Sequence, residues 1–243
     1  MIGLKIIKKC KKNGIPISCK ITRHYDKYNR CYYQIGVVFD IETINSDINY
    51  DKSSGIVALD FNLGHIDMTE LDDKGNLVYF KTFKYILSNK AYINEKSLYN
   101  ILDEVGEYTK QHHKVLAVEE LDLQELKTKF NSDKKHQKTL NRYLHSLPYS
   151  RYNAKVRHLK IKYELDVITV KPNFTSIIGE LKYANSMKLN SHISASYVIG
   201  RRALGFVDYP LNYQYKQLMT IQPIKLYKSN WSMWSTLNKM KTA

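Results

Sequence analysis

The chain has 243 residues, 38 Lys+Arg against 23 Asp+Glu, and a formal net charge of +15. Hydrophobic residues make up 43%, enough for a sizeable core, and 12% aromatics beside 25% charged residues argue against a disordered chain. No stretch approaches the roughly 20 consecutive apolar residues of a membrane span, and the start, MIGLKIIKKCKKNG, lacks the apolar run of a signal peptide. Neither an integral membrane protein nor a secreted one is expected.

Residues 16–24 (PISCKITRH) and 30–42 (RCYYQIGVVFDIE) read as two strands around a turn. In the second, Tyr33, Ile35, Val37, Phe39 and Ile41 alternate onto one face. The polar stretch 43–53 reads as a linker. GIVALDF (55–61), HIDMTEL (65–71) and LVYFKTF (77–83) follow as three strands, with turns at Asn62–Gly64 and Asp72–Asn76. Residues 94–110 read as a helix, with Asn94 as N-cap and Leu98, Ile101, Leu102 and Val105 on one face. KVLAVEEL (114–121) is an apolar strand ending in acids, and residues 123–163 are a basic helical stretch broken near Pro148. DVITVK (166–171) is a further strand, and residues 192–204 are a helix capped by Ser191. Trp231 and Trp234, spaced i, i+3, read as core or docking residues of a terminal helix. Three antiparallel strands followed by alternating helices and strands is the order of an α/β, ribonuclease H-like fold, a mixed sheet flanked by helices.

Asp60 lies inside the apolar run Val57–Phe61. A carboxylate in a strand interior needs a partner or a metal; the alternative is a turn cap at the strand end. Glu119 and Glu120 end the strand that starts at Lys114. Neighbours on a strand face opposite ways, so only one of them can point toward Asp60; the alternative is a solvated strand end. An Asp and a Glu converging at one end of a sheet have the donors to hold two Mg2+ ions about 4 Å apart for phosphodiester hydrolysis. His192 falls in the first turn of its helix, where the positive dipole end disfavours imidazolium. A neutral ring there binds a metal or takes a proton from water, unless it is simply an exposed histidine. His112, His113, His136, His145 and His158 lack ligand spacing and read as surface residues.

The net charge is unevenly spread. Residues 1–35 carry nine bases and one acid, residues 36–126 eight bases and seventeen acids, and residues 127–162 eleven bases and one acid. Residues 201–243 are basic again, with seven against one. Basic flanks point to a polyanion, because Lys and Arg that neutralise phosphates release counterions. An acidic centre between them points to carboxylates kept for a metal. Cys10, Cys19 and Cys31 have no ligand spacing, so no zinc is expected, and they read as reduced thiols of an intracellular protein.

At these residues the chain resembles the TnpB family, the OrfB proteins of insertion sequences and relatives of type V CRISPR effectors. Ile56-Val57-Ala58-Leu59-Asp60-Phe61-Asn62, followed by His65, Asp67 and Gly75-Asn76, looks like the family's first RuvC motif. Val115-Leu116-Ala117-Val118-Glu119-Glu120-Leu121-Asp122 looks like the second, with Glu119 matching the family's catalytic glutamate. Lys171-Pro172-Asn173-Phe174-Thr175-Ser176 resembles its proline-to-Thr-Ser segment. His192-Ile193-Ser194-Ala195-Ser196-Tyr197-Val198-Ile199, running into Gly200-Arg201-Arg202, falls where the family has Asp, two residues, Ala and an apolar helix. The resemblance spans about residues 55–206 and, more weakly, the strands before them.

The resemblance implies a transposon-associated, RNA-guided DNA endonuclease. Its RuvC-like site, Asp60, Glu119 and His192, would hydrolyse phosphodiesters with Mg2+ or Mn2+, with DNA and a guide RNA as partners. It implies a β-rich remnant of a wedge-type domain at residues 1–50 and a nuclease domain at 51–243, with a basic helical insertion at about 123–163. Under this reading the phosphate contacts fall to Lys127, Lys129, Lys134, Lys135, Lys138, Arg142, Arg151, Lys155, Arg157, Arg201 and Arg202, with Tyr143, Tyr149 and Tyr152 available for stacking. A cytoplasmic, nucleoid-associated protein is expected. The chain departs from the family in its short N-terminal half, in having no cysteine ribbon after Ser176, and in carrying His192 at the third acidic position. Those departures fit a compact or truncated form that a second protein chain completes. They also fit a catalytically inactive nucleic-acid-binding or assembly-partner descendant.

Overall fold

A computed structural model of the chain describes residues 2–12, 14–39, 51–62, 64–86, 88, 90–120 and 149–242. Helix α1 (Ile2–Lys12), which the sequence reading did not anticipate, leads into strands β1 (Ile17–Tyr25) and β2 (Cys31–Phe39). The two strands pair antiparallel from Ile17↔Phe39 to Tyr25↔Cys31. Asp26 sets their turn: its Oδ1 accepts from the Tyr28 and Arg30 N–H groups, and its Oδ2 from Arg30 Nε at 2.8 Å. Ile21, Ile35, Tyr33 and Val38 stay exposed on this hairpin.

The main sheet has five strands: β3 (Ile56–Asn62), β4 (His65–Leu71), β5 (Leu77–Lys84), β6 (Val115–Glu119) and β7 (Val167–Val170). Their spatial order is β5-β4-β3-β6-β7. The first three are antiparallel neighbours, while β6 runs parallel to β3 and β7 parallel to β6. That order and those directions are the ribonuclease H-like arrangement expected from the sequence. Between β4 and β5, Asp72 Oδ1 accepts from the N–H groups of Lys74 and Asn76, and Gly75 takes a φ of +76°. A Cβ there would meet Phe206 at 2.7 Å, so glycine is required both by the backbone conformation and by the close approach.

Strand alternation decides what each face buries. Val57, Leu59, Phe61, Ile66, Met68, Leu116 and Val118 form one core with helices α2 (Ala91–Gln111) and α3 (Tyr149–Lys162), through Leu98, Leu102, Val105, Tyr152, Val156 and Leu159. Helix α2 starts earlier than expected, capped at Lys90 without a side-chain bond. Asn94 is buried and instead holds the preceding turn, accepting from Ser88 N–H at 2.7 Å and donating to Ser88 O at 2.9 Å. Tyr152 belongs to this core, stacked on Phe61 with centroids 4.4 Å apart, and is not available to bases. Residues 121–148, with Tyr143 and the first part of the expected basic insertion, lie outside the described residues.

The opposite face exposes Ile56, Ala58, Leu71, Val115, Ala117 and Val170 to helix α5 (Ser191–Leu204), which contributes Tyr197, Ile199 and Ala203. Before α5, the chain forms α4 (Thr175–Ile178), a π-helical stretch (Gly179–Ala184) and a last turn (Asn185–Met187). Helices α6 (Asn212–Met219) and α7 (Asn230–Thr242) complete a third cluster, in which Leu218, Trp234 and Leu237 meet Ile177, Ile178 and Val198. Trp234 is fully buried and Trp231 is 43% exposed. No helix among the described residues is long and apolar enough to cross a membrane.

The seating of α5 is tight at two glycines. A Cβ on Gly200 would stand 2.7 Å from Leu71 Cδ1, at the tip of a flexible side chain, whereas one on Gly179 would stand 2.6 Å from the Ser194 backbone carbon. Backbone yields less easily than a side chain, so Gly179→Ala is the harsher change. It is expected to cost about 2 kcal/mol, as overpacking does, and to lower the melting temperature by roughly 4–8 °C. Circular dichroism melts check this, and an unchanged midpoint would show that the π-helical stretch and α5 separate freely.

Candidate metal centre

The same alternation that builds the α5 face also selects the polar residues at its end. Asp60 shares the face of Ala58, Asp67 and His65 share that of Leu71, and Glu119 shares that of Ala117. Asp60 and Asp67 are cross-strand partners on β3 and β4. The β3–β6 register runs in parallel up to Leu59↔Val118, so Asp60 and Glu119 are the next residues of adjacent strands. Glu120 points away and is exposed, which decides between the two adjacent glutamates.

Helix α5 brings His192 to this end of the sheet. Its N-cap is Asn190, one residue before the expected Ser191, with Oδ1 accepting from Ile193 N–H at 2.8 Å. Ser196 pins the helix to the sheet: its hydroxyl donates to Ala58 O at 2.9 Å and accepts from Thr69 Oγ1 at 3.0 Å. His192 Nδ1 lies 3.8 Å from Asp60 Oδ2, and the His192 and His65 rings meet edge to face at 4.7 Å.

Each carboxylate has a neutral donor. Asn62 Nδ2 donates to Asp60 Oδ2 at 2.7 Å, Thr82 Oγ1 to Asp67 Oδ1 at 2.5 Å, and Thr175 Oγ1 to Glu119 Oε1 at 2.5 Å. Burial pushes Glu119 up to about 7 against the Thr175 bond, and the Asp60 charge adds to the rise. Burial likewise raises Asp67, with Asp60 contributing. The side-chain interaction with Asp60 raises His192 above the ordinary imidazole range. The helix dipole was expected to disfavour the charged ring; the Asp60 carboxylate at 3.8 Å acts in the opposite sense, against roughly half a charge at a helix end.

The expected phosphate contacts divide. Lys155 is buried on α3 and holds Asp103 Oδ1 of α2 at 2.9 Å, so its charge is neutralised inside the protein. Arg201 is turned to Asp208, with Nε 3.3 Å from Oδ1, and its guanidinium lies 4.7 Å from the Phe206 ring centre. Arg202 donates to the Lys171 and Asn173 carbonyls and lies over Trp231 at 4.9 Å. Arg157 is exposed. Lys127, Lys129, Lys134, Lys135, Lys138 and Arg142 lie outside the described residues, as does the side chain of Arg151.

Two sets of residues went unread in the sequence. His65 and Asp67 stood within the first motif without a role, although a His-x-Asp on a strand places both side chains on one face. Asp208 is the single acid among the basic residues 201–243. It is buried and accepts from Lys182 at 2.9 Å and from Tyr183, while its backbone carbonyl accepts from Asn230 and Trp234.

No known protein family matches the chain, and no curated protein does. Among solved structures it is similar to Thermus thermophilus RuvC in complex with a Holliday junction substrate, with TM-score 0.40 and 12% identity over 62% of this chain and 95% of that one. A second structure of Thermus thermophilus RuvC gives the same TM-score and identity over 60% and 90%. At this degree of likeness it is the strand order, and not the neighbour, that identifies the fold.

The raised Glu119 has a consequence for stability. Between its ordinary value of 4.5 and about 7, the folded chain keeps a proton that the unfolded chain has lost. Stability therefore falls as pH rises through that window, by up to about 3 kcal/mol. Glu119→Gln removes the effect while retaining an acceptor for Thr175. In chelator, the variant is expected to melt above the parent at pH 8 and level with it near pH 4. Melting curves at the two pH values check this, and equal gaps at both would contradict it.

Proposed function

We propose that the chain is a metal-dependent nuclease acting on nucleic acid and, within that class, a TnpB-like, RNA-guided DNA endonuclease. The observation that carries the first part is the placement of Asp60 and Glu119 at the same end of adjacent parallel strands, with His192 brought 3.8 Å from Asp60 by α5. The four ordered motifs that resemble TnpB support the second part and make DNA and a guide RNA the partners. A second protein chain supplying the recognition half belongs to the same proposal.

The residues fit a divalent cation. Two carboxylates and an imidazole suit Mg2+ or Mn2+, and a positive charge beside Glu119 offsets the burial that, with the Asp60 charge, holds it near 7. Asp60 and Glu119 would hold the ion, with His192 in third place. When bound, such an ion supplies Lewis acidity to the scissile phosphate and acidifies a water. The chain's own residues prepare that chemistry. Thr175 orients Glu119, Asn62 orients Asp60, and the Arg202 charge is felt at Glu119 from a guanidinium fixed by two carbonyls. The basic stretches would track phosphates, with their counterions released on binding.

His192, where the TnpB family has an acid, favours a second reading in which the site binds nucleic acid without cutting it. Incubation with labelled single- and double-stranded DNA, with and without Mg2+ or Mn2+, separates the two. Metal-dependent cutting that Asp60→Ala and Glu119→Ala each reduce about 100-fold or more supports the nuclease. Thr175→Val is expected to reduce it about tenfold, as the loss of an orienting contact does. Salt-sensitive binding without cutting supports the second reading, and the absence of both overturns each of them. Co-purifying RNA that maps beside the gene supports a guide, and random host RNA removes it.

A further inference from the structure

We propose a second cation site beside the Asp60–Glu119 pair, in which His65, Asp67 and His192, the last exchanged from its third place at that pair, bind a first-row transition-metal ion such as Zn2+. Each residue offers one donor atom, and the three atoms lie within 4.8 Å of one another. Donors bound at about 2.1 Å to a tetrahedral ion stand about 3.4 Å apart, so a small contraction completes the set. The sequence separation is large but the construction is simple. His65 and Asp67 alternate onto one face of β4, and α5 delivers His192 from its first turn.

A separate observation points to a ligand. Asp67 is fully buried, and its Oδ2 takes no hydrogen bond among the described residues, while Thr82 occupies Oδ1. His65 Nε2 is 3.2 Å from that oxygen, within ion-pair range but without hydrogen-bond alignment. Buried carboxylate oxygens are normally satisfied, and an orphan calls for an explanation. A cavity of about 290 Å³ lies against these three residues, walled also by Thr82, Asn190 and Lys84.

The donors choose the ion. Two imidazoles and one carboxylate are softer than the Asp60–Glu119 pair, and such a set prefers Zn2+ over Mn2+ and leaves Mg2+ to oxygen ligands. Lys84, exposed on the cavity wall, and the amino end of α5 oppose a cation. The helix end amounts to roughly half a charge and the lysine can swing into water, whereas the Asp67 carboxylate lies in the site and that of Asp60 lies 3.8 Å from His192. The expectation of no zinc rested on cysteine spacing and did not reach this cluster.

The inference does not depend on cleavage. The full chain, stripped with chelator, is titrated with Zn2+ by calorimetry without nucleic acid, in the presence of excess Mg2+, and melted with and without Zn2+. One Zn2+ per chain, together with a raised melting temperature, is expected. His65→Ala and Asp67→Asn should each weaken binding about tenfold or more and abolish the thermal shift, while Glu119→Gln leaves both in place. His65 sits at a strand start with its side chain 26% exposed, so its alanine variant tests the site without opening the core. Zn2+ binding that His65→Ala and Asp67→Asn leave unchanged overturns the proposal. So does binding lost only in Glu119→Gln, which assigns the ion to the nuclease pair. A chain that never cuts DNA but binds Zn2+ through His65 and Asp67 sinks the nuclease reading and keeps this one.

Discussion

Carboxylates crowded at the end of an apolar sheet repel one another, and a pair of such charges about 4 Å apart near a protein surface is worth about 4 kcal/mol. Asp60, Asp67 and Glu119 share one face of three neighbouring strands, and Asp60 and Asp67 are buried. The chain keeps them there with groups that give a hydrogen bond without adding a permanent positive charge: the hydroxyls of Thr82 and Thr175 and the amide of Asn62. Their repulsion is thus softened but not cancelled. Burial raises Glu119 to about 7 and raises Asp67 as well, and the charge of Asp60 adds to both rises. Apolar cores packed on both faces of the sheet hold these groups in place.

Helix α5 connects this strained end to the rest of the molecule. Its middle is locked to the sheet by Ser196 and by the glycine contact at Leu71, its first turn carries His192, and its last turn carries Arg201 and Arg202. Those arginines fasten the Asp208 hub and the Lys171–Asn173 loop, where Thr175 begins. A displacement of α5 would therefore disturb the histidine and the threonine together. The position of the imidazole and the orientation of Glu119 are mechanically one property.

The central strands were readable because a sheet buried on both faces writes short, nearly continuous apolar runs. An acid inside Val57–Phe61 was readable because it breaks that pattern. Glu119 was chosen over Glu120 by the resemblance and not by the strand itself, since which of them faces Asp60 depends on the register with β3. The His65–Asp67–His192 grouping was hidden for a similar reason, as its third member arrives through a helix far along the chain. Charge misled where packing decided. Lys155 looked like its neighbours in a basic run, yet Asp103 of α2 faces it across a helix pair, and Arg201 likewise meets Asp208. Asn94 looked like a helix cap, but Ser88 offered its amide both a donor and an acceptor.

The two margins of the main sheet differ in length, with four residues in β7 and eight in β5. Among the described residues β5 has an unpaired outer side, and it displays Val78, Tyr79 and Phe80 to solvent. A long margin with such side chains invites a strand from another molecule. Lys81, on the same strand, is tied to Glu104 of α2 at 2.7 Å, and Lys84 stands at its end. Charges of this kind oppose the flat stacking of like margins. Lys81 and Lys84 thus set two charged side chains along the outer strand of the sheet, where a like margin would have to approach, and Lys84 also walls the cavity beside Asp67.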